Sequence, residues 1–261
     1  MFENILATLD TPLYCNESVL SGGQLAQFYN SKLSVLHVLQ SDSPIYRNYV
    51  KHFQTGEEIV ADDHYTAMVK KEIERNCSSV LKSCSNCNII VATGSPWEEI
   101  LRYRRKIMAD LILMKPYSEK LWEKEKKRKF VGDTVDKVIK HEPGPVMIVN
   151  QPISDKQVKF KNILTCIDFS ESCKSSLRYV SGLAPACSSK VFLFHVYSLS
   201  GQQKHQEQNG PNTKAIYGKL QNFCRKIPDS LESECVLAEG NFPYIEILKF
   251  ARKMDIDLVV M

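Results

Sequence analysis

Long apolar runs are missing from this chain. Nowhere does a stretch approach the roughly 20 residues needed to cross a bilayer as a helix. Charge of one sign is missing too: 34 Lys and Arg stand against 30 Asp and Glu, a net of +4. So small an excess argues by itself for neither nucleic acid nor membrane lipid, since a basic footprint would need a strongly basic domain or a clustered face; no membrane partner is expected, and nucleic acid is not the expected one. The N-terminus, Met1-Phe2-Glu3-Asn4-Ile5, has an acid where a secretory leader would carry basic residues, and its apolar run ends at Leu9. A soluble cytoplasmic protein is therefore expected.

Paired cysteine motifs are also scarce. The 9 cysteines are an odd set, and without an export signal reduced thiols are the default expectation. Cys84-Ser85-Asn86-Cys87 has the gap of a redox or zinc pair, but no second such pair follows, and only Cys77 and His64 lie near enough to complete a metal site. A plain solvent-side turn is the simpler reading of that segment, and Cys166 reads as a small core residue. No Ser/His/Asp or Cys/His arrangement is visible, so the chain does not read as an enzyme.

What is present is a repeat. Asn4-Ile5-Leu6-Ala7-Thr8-Leu9-Asp10 returns as Asn162-Ile163-Leu164-Thr165-Cys166-Ile167-Asp168. Leu36-His37-Val38 returns as Phe194-His195-Val196 at the same separation. Gly94-Ser95-Pro96-Trp97-Glu98 matches Gly240-Asn241-Phe242-Pro243-Tyr244, and Ala109-Asp110-Leu111-Ile112-Leu113-Met114 matches Ile256-Asp257-Leu258-Val259-Val260-Met261. Four echoes in one order at nearly one spacing mark a tandem duplication. The 261 residues then divide into two domains of about 130, each large enough for its own core: residues 1–150, a polar linker over 151–160, and 161–261.

Each copy alternates short apolar strands with helical patterns, which implies βαβ units and a parallel sheet with helices on both faces. In the first copy strands are expected over 4–9, 33–39, 88–92, 110–114 and 144–149. Helices are expected over 16–29, 61–81, from Pro96 to about Met108, and over 134–141, with a long loop over 40–60. Ser95 caps the third helix in this reading, with Pro96 at its first position and Glu98 completing a capping box. The second copy repeats this as strands 162–167, 190–196, 234–238 and 257–261 with helices between them, a polar loop over 198–212, and no fifth strand before the given sequence stops.

Ligands of open α/β sheets gather at the carboxyl ends of the strands. Asp10 and Asp168 fall there, either as acceptors for a ligand's hydroxyls or amines or as caps of the following helix. His37 and His195 lie inside strands and read as packed core residues. Ser21-Gly22-Gly23 is similar to the phosphate loop of ATP pyrophosphatases, but Gln24-Leu25 continue a helical pattern through it.

Ile167-Asp168-Phe169-Ser170-Glu171 after an apolar strand, Phe194-His195-Val196, Glu239-Gly240 with Pro243 and Glu246-Ile247-Leu248, and Asp257-Leu258-Val259-Val260-Met261 together resemble the universal stress protein family. Gly144-Pro145-Val146-Met147-Ile148-Val149 is similar to that family's last strand. The resemblance covers nearly the whole chain. It implies two tandem Rossmann-like domains of the adenine nucleotide alpha hydrolase-like kind, each a five-stranded parallel sheet of order 3-2-1-4-5, the second incomplete at its C-terminal end. It also implies pairing between domains or between chains through the fifth strand, a role in stress response or signalling and, in some members, ATP with magnesium in the crevice.

ATP-binding members carry Gly-x-x-Gly, about nine further residues, then Gly-Ser or Gly-Thr opening a helix, because bare backbone N–H groups there face the phosphates. The first copy departs from this. Lys115 and Ser118 stand at the two glycines, and Gly132 survives but is followed by Asp133. The segment from Glu119 to Lys129 adds Lys120, Lys124, Lys126, Lys127, Arg128 and Lys129 among three glutamates. It reads as a solvated charged segment or, less simply, as lysines that grip phosphate. The positions matching the family's nucleotide contacts are Asp10, Val38 and Gly132 in the first copy, and Asp168, Ser170, Val196 and Met261 in the second. The resemblance thus implies an adenine-nucleotide module whose working site is in the second copy, against a dimerisation or partner-binding scaffold with both sites degenerate.

Overall fold

A computed structural model describes residues 1–41, 45–117, 131–153, 158, 160–198, 213–228 and 230–261. It falls into two compact units, Met1–Val158 and Lys159–Met261.

In the first unit β1 (Asn4–Leu9) is central. It pairs in parallel with β2 (Lys32–Gln40) on one side and β6 (Leu111–Met114) on the other. With β5 (Cys87–Gly94) and β7 (Val146–Ile148) these form a five-stranded sheet of order β5-β2-β1-β6-β7. The expected order follows when the strands of a small separate hairpin are left out of the count. That hairpin, β3 (Tyr49–Lys51) with antiparallel β4 (Glu58–Val60), lies where a plain loop was expected. Its strands have three residues each, too few to show an alternating pattern. The turn between them closes through His52 N–H donating to the Glu57 carbonyl at 2.7 Å, with Gly56 at φ 75°.

Helices cover both faces because β1 and β2 are apolar on both. One face receives α1 (Glu17–Tyr29). Its Gly22 lies so close to the sheet that a Cβ there would come 3.1 Å from both Ala7 and Leu33. Ser21-Gly22-Gly23 is therefore a packing device inside a helix and not a phosphate loop. The expected crossover helix is two pieces, α2 (Asp63–Asn76) and α3 (Ser78–Ser83), broken at Cys77. The other face packs Leu6, Leu36, Ile112 and Met114 against α4 (Pro96–Lys106) and α5 (Asp133–His141). Ser95 does sit at the N-cap of α4, but its side chain makes no capping bond. The buried acid in that first turn is Glu99, bound by the Arg102 guanidinium, and not Glu98.

The second unit repeats the frame with β8 (Asn162–Cys166), β9 (Lys190–Tyr197), β10 (Ser233–Glu239) and β11 (Leu258–Val260) in the order β10-β9-β8-β11. Its helices are α6 (Glu171–Cys187), α7 (Thr213–Cys224) and α8 (Pro243–Lys253). Phe250 of α8 packs on Phe194 and Phe192 at 4.8 and 5.4 Å between ring centroids.

Two side-chain ties recur at equivalent places. The Asp110 carboxylate accepts from the Asn4 amide at 3.3 Å, and Asp257 accepts from that of Asn162 at 2.9 Å. The Ser31 hydroxyl donates to the Phe2 carbonyl, and Ser189 donates to that of Phe160. These ties explain part of why the duplication remains visible in the sequence.

The cysteine expectation needs correction at one place. Cys224 and Cys235 are joined as a disulfide, with Cα atoms 6.5 Å apart, because α7 packs along β10. The Cys84-x-x-Cys87 segment does turn at the surface as expected, with Ser85 and Asn86 exposed between α3 and β5. Cys84 is buried and donates to the Gly23 carbonyl of α1 at 3.5 Å, while Cys87 opens β5.

The packing of α1 gives a test. A Cβ on Gly23 would sit 2.6 Å from Cγ1 of Val80 on α3, so Gly23→Ala forces two helices apart. Urea unfolding should show a loss of about 1–3 kcal/mol, the usual range for overpacking, and an unchanged midpoint would contradict this contact.

Candidate functional site

The carboxyl ends of the central strands form the candidate site in each unit, and the two ends are built differently. In the first unit β1 ends at Asp10. Its Oδ1 accepts from the Asn16 side-chain amide at 3.0 Å. The same Asn16 donates to the Thr8 carbonyl at 3.2 Å and, through its Oδ1, accepts from the Val19 amide at 3.1 Å as N-cap of α1. The cap is thus Asn16 and not Asp10. The aspartate is held by the residue that starts the helix.

The entrance beside it holds a cation. Lys115, the first residue after β6, pairs with Glu17 of α1 at 3.3 Å and lies 5.8 Å from the centre of the Tyr14 ring. Both charged side chains are largely shielded, at 15% and 29% exposure. Gly132 is buried as the N-cap of α5, and its N–H donates to the Pro116 carbonyl at 2.7 Å. That N–H is therefore directed to the chain itself and not outward to a phosphate. Val38 is half-buried on β2. Ser118 and the lysine-rich segment 119–129 lie outside the described residues.

In the second unit β8 leads to Asp168, which is exposed. Its Oδ1 accepts from the Ser170 amide at 2.8 Å and from the Cys173 thiol at 2.7 Å, and neither bond uses Oδ2. Ser170 is the N-cap of α6 and accepts from the Cys173 amide. As in the first unit, the cap is not the aspartate. Phe169, between them, adopts φ 65°, a left-handed backbone that an aromatic residue takes only under constraint. Its ring lies 4.3 Å from His195 and 5.7 Å from Phe223 between centroids. Val196 follows His195 on β9 and is half-buried, and Met261 is 83% exposed after β11.

Each histidine has the same task. His37 Nδ1 lies 2.9 Å from the Leu9 carbonyl, and His195 Nδ1 lies 2.7 Å from that of Ile167. A carbonyl only accepts, so Nδ1 carries the proton in both rings. Each ring therefore fastens the second strand to the end of the first, just before the aspartate. Burial pushes the His37 pKa below its ordinary value, which keeps that ring neutral.

Sequence reasoning missed Asn16, the Lys115–Glu17 pair and Cys173. The aspartate and histidine separations are equal in the two copies, which hides a compensation between them. The cap stands six positions after Asp10 but two after Asp168, while α1 has 13 residues and α6 has 17. The signal that could have revealed this was the asparagine before an acid at Asn16-Glu17. Among the described residues no cluster of three or more His, Cys, Asp or Glu is arranged to hold a metal ion, and no helix is long and apolar enough to cross a membrane.

The electrostatics of Asp168 can be tested. The Cys173 hydrogen bond, followed by those from Ser170, brings its carboxyl down from 3.8 to about 2. A folded-state value below the unfolded one adds stability above pH 3.8, which is lost as pH falls toward 2. An NMR titration of the Asp168 carboxyl should give a midpoint near 2 that Cys173→Ala moves upward. A midpoint near 3.8 in the unmodified chain would contradict the hydrogen bonding described.

Comparison with known proteins bears on both units. The model of the universal stress protein family matches residues 1–150 and again 159–261. Among solved structures, a universal stress protein from Archaeoglobus fulgidus superposes with a TM-score of 0.66 at 15% identity, over 98% of this chain and 83% of that one. A functionally unknown protein from Pseudomonas aeruginosa follows with a TM-score of 0.61 at 13% identity, over 99% and 80%. At such identities the likeness concerns the fold alone. No curated protein sequence matches. With both of its halves matched by one family model, this chain belongs to the universal stress protein family.

Proposed function

We propose that the chain is a stress-response or signalling module that binds one adenine nucleotide, in the second unit. The observation that carries this reading is the contrast between the two entrances, since both aspartates are exposed and each is bound through Oδ1. Asp168 is exposed, ionised and oriented by two bonds to a single oxygen, so Oδ2 is in position to accept from a ribose hydroxyl or a base amine. The Phe169 ring and Val196 supply apolar surface nearby. Asp10 is held by Asn16, and the entrance beside it carries the Lys115–Glu17 pair.

Among the described residues, the backbone at Gly132 offers a triphosphate no cradle in the first unit. The backbone donor at Gly132 is already bonded, and Asp133 would bring a negative charge next to the phosphates. In the second unit Asp168, Ser170 and Val196 would hold the adenosine part, while Met261 lies at the side where phosphates would extend. The module binds and does not turn over its ligand in this reading. Both strand histidines commit Nδ1 to a carbonyl and pack as structural residues.

We also infer that β7, the edge of the first sheet, pairs with a strand of a second copy. Among the described residues its N–H and C=O groups on the outer side meet no further strand, and they are a template for such pairing. Sedimentation should therefore show a dimer, and a strictly monomeric species at all concentrations would count against it.

The nucleotide reading is tested by denaturing purified protein and separating any released adenine nucleotide, with thermal unfolding in ATP and in AMP, with and without magnesium. A ligand of the folded state adds about 2.7 kcal/mol at a hundredfold excess over its dissociation constant. The shift should vanish in Asp168→Ala and persist in Asp10→Ala. No released nucleotide and no shift at any concentration would leave the dimerisation scaffold as the better account.

A further inference from the structure

The crossover helix of the second unit has few anchors. Of the 12 residues of α7 only Leu220 is buried. Cys224, one turn later and on the same face of the helix, is joined to Cys235. Cys235 stands in β10 opposite Leu193 of β9, so the bond fastens the end of α7 to the sheet itself. The other 7 cysteines are free thiols. Cys224 and Cys235 are both half-buried, within reach of a reductant in solution.

The fastened end carries an aromatic contact of the crevice. Phe223, next to the disulfide, lies 5.7 Å from Phe169 between centroids, edge to face, and the Lys226 ammonium is 4.6 Å from the centre of the same Phe223 ring. Phe169 stands between Asp168 and Ser170 at φ 65°, a backbone that a bulky residue keeps only while its surroundings hold it. Three bonds define that turn. The Ser170 amide donates to Asp168 Oδ1 at 2.8 Å, the Cys173 amide to Ser170 Oγ at 3.4 Å, and the Asp168 amide to the Cys173 sulfur at 3.3 Å. The first unit has a seam at the corresponding place, where Asn76 at the end of α2 donates to the Pro12 carbonyl at 2.9 Å. There a hydrogen bond ties the crossover helix to the loop after the first strand. In the second unit the tie is a ring contact backed by the disulfide.

We propose that Cys224–Cys235 is a reversible thiol–disulfide switch, reduced by a dithiol, that sets whether the Asp168–Ser170 turn is held. Oxidised, the end of α7 keeps Phe223 against Phe169. Reduced, that end is left with Leu220 and, beyond the helix, Ile227 as its buried side chains, and the turn relaxes. The exchange balances. A thiolate of the dithiol attacks one of the two sulfurs, the S–S bond breaks, and the other sulfur leaves as a thiolate that takes up a proton. The second sulfur of the dithiol then displaces the mixed disulfide and releases the second protein thiol. Two electrons and two protons pass to the chain, and the dithiol becomes a disulfide.

The proposal goes beyond nucleotide binding, and its readout contains no nucleotide, so the two can fail separately. The full chain is alkylated under denaturing conditions, digested and mapped by mass spectrometry before and after native incubation with dithiothreitol. A linked pair of peptides containing Cys224 and Cys235 should be present first, be replaced by two alkylated thiols on reduction, and return with oxidised dithiothreitol. Hydrogen exchange of the Ser170 and Cys173 amides, read by NMR, should quicken about tenfold on reduction, the signature of local opening, while β8 stays protected. Phe223→Leu should bring the same quickening with the link intact, and reduction should then add nothing. Absence of the linked pair, unchanged exchange at Ser170 and Cys173 on reduction, or loss of protection in β8 as well would overturn the proposal, the last because the bond would then be a staple of the whole unit.

Discussion

A strand paired on both edges and packed on both faces has only its ends available for polar chemistry. β1 and β8 are in that position. Their interiors, Ile5 to Ala7 and Ile163 to Thr165, are buried. Along these two strands charge stands only where the chain leaves the sheet. The aspartates at these exits, the histidines that fasten the neighbouring strand just before them, and the asparagine or serine that starts the next helix all follow from this confinement.

From that common frame the two crevices diverge through small changes. A longer passage from Asp10 to Asn16 brings a side-chain amide back onto Oδ1 of that aspartate, whereas the short turn from Asp168 to Ser170 gives Oδ1 a backbone amide and a thiol, and both carboxylates are exposed. The tight turn places Phe169 in a left-handed backbone, for which its packing on His195 and Phe223 compensates. Replacing a glycine by Lys115 adds a cation that finds Glu17. That pair contributes about 1 kcal/mol by the measure of partly exposed ion pairs. The pair is weak as a stabiliser, yet a phosphate entering beside Glu17 would have to displace it.

Much of this architecture was legible because buried parallel strands carry continuous apolar runs and because the duplication printed each of them twice. Asp110 and Asp257, matched in the sequence, turned out to tie the first strand in each unit. The β3–β4 hairpin was not legible, since three-residue strands closed by a local turn show no periodicity. Nor was the role of Glu99, which depends on burial and on Arg102 one turn later. The positions of Asp10 and Asp168 were clear in the sequence, but their different surroundings were not. Those depend on where the following helix begins, and a single shared spacing concealed it.

The central claim is that one crevice of the two is open to an adenine nucleotide. The most direct measurement is the stoichiometry of labelled ATP bound per chain at saturation, by equilibrium dialysis of the full-length protein. The account predicts one nucleotide per chain. Two per chain would mean that the Asn16 and Lys115–Glu17 contacts do not close the first crevice, and none would mean that an exposed, oriented Asp168 is not sufficient to make the second a binding site.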